Sequence, residues 1–71
     1  MMPDGSADAT FRIYIQDDGT KHYLRDWITS DHRDHLIFDT DRRYAMRFKK
    51  LYVAKWYRKK MIAMGYNPII E

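Results

Sequence analysis

Residues Phe11 to Thr20 constrain this chain more than any other stretch. Phe11, Ile13 and Ile15 alternate with Arg12, Tyr14 and Gln16, the period of a strand with one apolar face. Asp17-Asp18-Gly19-Thr20 follows at once. An Asp-Gly pair is what a tight primed turn selects, because Gly19 takes positive φ without penalty and the turn's twist matches that of the strands it joins. A strand that ends this way folds back on itself. Lys21 to Trp27 is the expected return strand, packing through Tyr23, Leu24 and Trp27, and its ragged alternation leaves room for a bulge.

Beyond this hairpin the signals are shorter. Thr29 to His35, TSDHRDH, reads as a polar loop, and Leu36-Ile37-Phe38 as a buried third strand. Asp39, Thr40 or Asp41 can cap a helix after it. Gly65 is a natural helix stop, Asn67-Pro68 forbids continuation, and Ile69-Ile70 can add a fourth strand. Residues 1–10, MMPDGSADAT, carry neither period and read as a flexible N-terminal arm, which leaves residues 11–71 as a single domain.

The region between, Asp41 to Tyr66, looks helical but does not fit one straight helix. On a wheel of about 100° per residue, Val53, Ala54, Tyr57, Met61 and Met64 share one face. Ala45 and Phe48 fall nearly opposite. The expectation is a helical turn over about Arg42 to Arg47, a break near Phe48 to Lys50, and a helix over about Leu51 to Met64. The alternative is one continuous helix, since no Ser, Thr, Asn or Asp is in place to cap the second segment. The fold class is therefore α+β: a three-stranded antiparallel β-meander packed against a kinked or two-part C-terminal helix, with a fourth C-terminal strand.

Composition narrows the function. A domain of 71 residues buries only about 60% of its unfolded surface, leaving little volume for an enclosed active site. With no cysteine there is no disulfide, thiolate zinc site or cysteine nucleophile. No Gly-rich phosphate loop or strained serine elbow is present, so the chain is read as a non-enzyme without catalytic residues or cofactor. No apolar run reaches the roughly 18 residues of a membrane span, and the start lacks the pattern of a signal peptide, so the expected location is cytoplasmic. His32 and His35, with His22, Asp31 and Asp34, have ligand-like spacing, but a solvated loop explains them and no metal is assigned.

Charge is lopsided. Thirteen Lys and Arg oppose ten Asp and Glu for a net +3, yet Arg42 to Lys60 holds nine basic residues and no acidic one. On the helix face opposite the apolar stripe stand Tyr52, Lys55, Trp56, Arg58 and Lys59. Lys49, Lys50, Lys55, Arg58, Lys59 and Lys60 are candidates for phosphate contact, with Tyr52 or Trp56 stacking on a base. The partner would then be nucleic acid or a nucleoprotein. The same face could instead anchor an acidic host protein, or simply solvate the helix while covering the edge of the core. Binding at a membrane surface is disfavoured because the apolar stripe is committed to the sheet. Unpaired strand edges and exposed aromatic rings would suit a homodimer.

One resemblance adds to this. Phe11 to Ile15, Gly19, Tyr23-Leu24, Ile37-Phe38, Asp39 and Asp41, then Ala45, Phe48 and Ala54, resemble in their spacing small uncharacterised proteins of phages and prophages. The resemblance spans about residues 11 to 70 and implies a meander, a helix and a last strand. It implies a mobile-element origin but carries over no binding residue, and the helix here is basic and aromatic where theirs is mixed in charge. The alternative function is a protein antagonist or adaptor that binds a host protein through the same face or an exposed strand edge, a class that includes inhibitors of host defence of the anti-CRISPR kind.

Overall fold

The computed structural model describes residues 10–71; the expected arm falls almost wholly on residues 1–9, outside the described part. Four strands form one antiparallel sheet in the order β3-β2-β1-β4: β1 is Ile13–Asp17, β2 Thr20–Ser30, β3 Arg33–Asp39 and β4 Ile69–Ile70. A 3-10 turn, Arg42–Tyr44, precedes a single α-helix, α1, Leu51–Ala63. The α+β meander with a helix and a fourth C-terminal strand is the architecture expected from the sequence, and the structure places that strand beside β1.

The first turn forms as its residues require, with Asp18 and Gly19 at φ +51° and +78°. The second hairpin corrects the reading of Thr29 to His35 as a loop. Strands β2 and β3 run to Ser30 and from Arg33, and only Asp31 and His32 turn, both with positive φ, +53° and +61°. Two consecutive left-handed residues make a primed turn, but without glycine its sequence signal is weak. Asp is among the residues that tolerate this region. The suspected bulge is real: the β2–β3 register shifts between Leu24 and Asp26.

The bulge marks a change in what β2 pairs with. From Thr20 to Tyr23 it pairs with β1, whereas from Asp26 to Ser30 its partner is β3 alone. The second hairpin thus projects beyond the start of β1 as a two-stranded arm. The chain between the 3-10 turn and α1 fills the angle this opens. Met46 N–H donates to the Leu24 carbonyl at 2.9 Å, and Phe48 exchanges two backbone hydrogen bonds with Phe11, at 2.8 and 2.9 Å. These bonds hold the break before the helix, so Ala45 and Phe48 are buried from extended backbone and not from a helical face. The helical turn is shorter than expected: Asp41 caps its start, accepting from Arg43 N–H, and it ends after Tyr44 because Ala45 is already extended; Arg43 holds the Asp41 carboxylate down at about 2.

Ile13, Leu24, Phe48, Ala54 and Met61 make the core. Ile13, Leu24 and Met61 are completely buried, each contributing about 1.5–3 kcal/mol relative to exposure. Of the helix stripe, Ala54 and Met61 are buried and Val53 and Tyr57 half-buried, while Met64, past the last helical residue, is exposed. There Gly65, at φ +99°, directs its N–H to the Ile62 carbonyl and Tyr66 N–H reaches Met61, a Schellman ending.

On the other face of the sheet the Glu71 carboxylate accepts from Arg42 Nε at 2.6 Å, Lys21 Nζ at 3.0 Å and Tyr23 Oη at 3.2 Å. It ties β4 to β2 and the 3-10 turn, and Arg42 first, then Lys21, lower its pKa below the ordinary 4.5. A carboxylate depressed in the folded state stabilises above its unfolded pKa, and the gain is lost as pH falls through the folded value. Urea midpoints should therefore decline for the native chain below about pH 4.5 more steeply than for Glu71→Gln. Identical acid profiles would show that the Glu71 contacts contribute nothing to stability. At the second turn His32→Gly should raise stability by roughly 0.5–1 kcal/mol in the same measurement, since glycine takes the left-handed conformation without a Cβ penalty.

Candidate nucleic-acid interface

Helix α1 begins without help. Its cap position is Lys50, which makes no side-chain capping bond, and no acidic residue lies in the first turn. Lys49 and Lys50 therefore sit beside the positive end of the helix dipole, an arrangement that weakens the helix slightly and concentrates positive potential. The core contacts of Ala54 and Met61 hold it in place instead.

Its outward face carries Tyr52, Lys55, Trp56 and Lys59, all exposed, with Tyr52 at 71% and Trp56 at 55%. The i, i+3, i+4, i+7 spacing brings these four together. Lys60 flanks them, its ammonium 5.3 Å from the centre of the Trp56 ring, a cation–π contact. Arg58, assigned to the same face from sequence, is half-buried on the other flank of the helix. Leu51 and Ile62 are exposed beside the patch.

Among the described residues these cations have no carboxylate within ion-pair distance. All four ion pairs among the described residues use Lys21, Arg25, Arg42 or Arg43. Lys49, Lys50, Lys55, Arg58 and Lys59 therefore form no ion pair among the described residues, and Lys60, also outside ion-pair distance of any carboxylate there, acts on Asp34 only through its field.

Sequence reading missed the groove beside this face. The projecting arm and the helix enclose an open cleft of about 330 Å³. Trp27 and Thr29 of β2 and Asp34 of β3 line one side, Trp56, Tyr57 and Lys60 of α1 the other, and Met46 completes it. Both indoles meet Tyr57 steeply: Trp27 at 88° with centroids 5.4 Å apart, Trp56 at 73° and 5.1 Å. Asp34 Oδ1 accepts from Thr29 Oγ1 at 2.8 Å and from Trp27 Nε1 at 3.2 Å. These bonds, Thr29's foremost, lower its pKa, with a further contribution from Lys60. The available signal was Trp27-x-Thr29, two residues of one strand face, opposite Asp34 across a short turn; reading that segment as a loop concealed it.

His32 forms the tip of the arm and His35 pairs with Ile28 in the ladder. Among the described residues no group of three or more His, Cys, Asp or Glu could hold a metal ion. No described helix is long and apolar enough to cross a membrane.

The exposed rings should be dispensable for folding. Trp56→Ala is expected to change stability by less than about 1 kcal/mol, whereas Tyr57→Ala, which removes contacts to Phe48 and Trp27, should cost about 3 kcal/mol. Thermal or urea unfolding distinguishes them, and equal losses would make Trp56 part of the fold. No family model, curated protein or solved structure matches this chain.

Proposed function

We propose that the chain is a non-enzymatic module that binds nucleic acid, or a nucleoprotein, through the basic aromatic face of α1. The observation that carries this reading is the grouping of unpaired Lys55, Lys59 and Lys60 around the exposed rings of Tyr52 and Trp56. Lysines free of carboxylates can release counterions from a phosphate backbone, and rings standing in water gain by stacking on bases. In line with its resemblance to small phage proteins, the module is read as belonging to a mobile element.

A second reading has its own support. Strand β3 is one edge of the sheet among the described residues, and its Ile37, with Ile28 of β2 beside it, is exposed, at 41% and 44% respectively. An inhibitor of a host protein would dock there by strand addition, or through the helix face.

The test is a mobility or anisotropy titration across salt. Binding should weaken steeply with salt, and Lys55→Glu with Lys59→Glu should abolish it at moderate ionic strength; neutralising one lysine should reduce the logarithmic salt slope by about 0.7 for a single strand. Absence of any DNA or RNA binding at low salt would overturn the reading and leave the protein-docking one.

A further inference from the structure

Apart from the helix face, the molecule presents the β3 edge, the Glu71 cluster and the groove between the arm and the helix. The groove carries an argument about ligand chemistry. We infer that it receives one unpaired guanine of a single-stranded nucleic acid, stacked among Trp27, Trp56 and Tyr57 with its Watson–Crick edge read by Asp34 and Lys60. This deepens the nucleic-acid reading and rests on it.

Three constraints select this occupant. The walls are aromatic and the volume, about 330 Å³, lies at the small end of ligand sites; that admits a planar base and not a duplex. A cationic guest, the usual occupant of an aromatic cage, is disfavoured because Lys60 already lies over Trp56 and uncompensated Lys55 and Lys59 stand on the adjoining face. A base attached to phosphates reverses that conflict, since the lysines then meet the backbone.

The polar groups then choose among bases. Asp34 Oδ1 is occupied by Thr29 and Trp27, which fix the carboxylate in orientation. Its Oδ2 accepts no hydrogen bond among the described residues, and an ionised carboxylate is an acceptor only. Guanine alone places two N–H donors, N1–H and the 2-amino group, side by side on its Watson–Crick edge, where both can converge on the lone pairs of the one free oxygen, Oδ2, next to the O6 acceptor that an ammonium such as Lys60 can meet. Adenine and cytosine set one amine beside an acceptor, and thymine sets one N–H between two carbonyls. Unstacked bases are commonly read in this way, by a ring face and an edge contact.

Trp27 and Trp56 are the only tryptophans in the chain, and both line the groove, so intrinsic fluorescence reports its occupancy directly. The experiment titrates the protein at low salt with labelled oligothymidylate and with the same strand carrying one central guanine, following anisotropy and tryptophan emission. The guanine strand should bind about tenfold more tightly and quench the emission further. Replacing guanine by inosine, which lacks the 2-amino group, should lose part of that preference without altering the protein. Asp34→Asn should lose most of it, bringing the affinities for the two strands close together. Equal binding of both strands, or equal binding of a duplex containing the guanine, overturns the groove assignment and leaves the helix-face reading standing. No binding of any strand overturns both.

Discussion

The bonds from Met46 to Leu24 and between Phe48 and Phe11 organise this molecule. Strand β2 is too long for its neighbour, and beyond the bulge its second half leaves β1 and continues with β3 alone. A gap of that kind would leave backbone groups of Leu24 and Phe11 facing the interior without partners, which is costly in a buried setting. The segment Met46 to Phe48 satisfies them. Because it must be extended to do so, the helix can begin only afterwards, and its start at Leu51 follows from hydrogen bonds made several residues earlier. The helix therefore needs no cap of its own, and the N-terminal position can be given to Lys50.

Charge is arranged by the same division. Among the described residues the ion pairs join the sheet's outer face, the 3-10 turn and Glu71, while the helix cations form none. Pairs exposed to this degree contribute little to stability individually, so the segregation is better understood as shaping the field around the protein. A surface with one sign of charge raises the encounter rate with an oppositely charged partner. Trp56 and Tyr52 then sit where such a partner would arrive.

Most of the fold was legible because its local signals agree with its packing. Asp18-Gly19 announces its turn, Gly65 and Pro68 end the helix, and the conflict between Ala45 and Phe48 on one side and the Val53 to Met61 stripe on the other locates the break. The second hairpin was not legible for a physical reason. Its turn uses Asp31 and His32 in place of glycine, and its strands carry Thr29, Asp34 and His35 because the arm is mostly solvated. Polar alternation with a weak turn looks like a loop until the ladder is seen. Of the helix face, Tyr52, Lys55, Trp56 and Lys59 followed from periodicity alone. Arg58 did not, since a wheel places a residue by angle and cannot say how far the neighbouring sheet extends to cover its stem.

The groove shows why fold and site are hard to separate in a domain this small. Trp27 reaches Tyr57 across the cleft only because the arm departs from β1 at the bulge; a β2 without that bulge would turn Trp27 to the opposite face of the sheet. The bulge also shifts the register by one residue, and in a strand that exchanges the two faces. Leu24 and Trp27 are three apart and would lie on opposite faces of a regular strand, yet both join the core side. Thr29 and Asp34 follow Trp27 to that side and meet there. One irregular position near Arg25 thus decides that the indole, the hydroxyl and the carboxylate face the helix and not the solvent on the far side of the sheet.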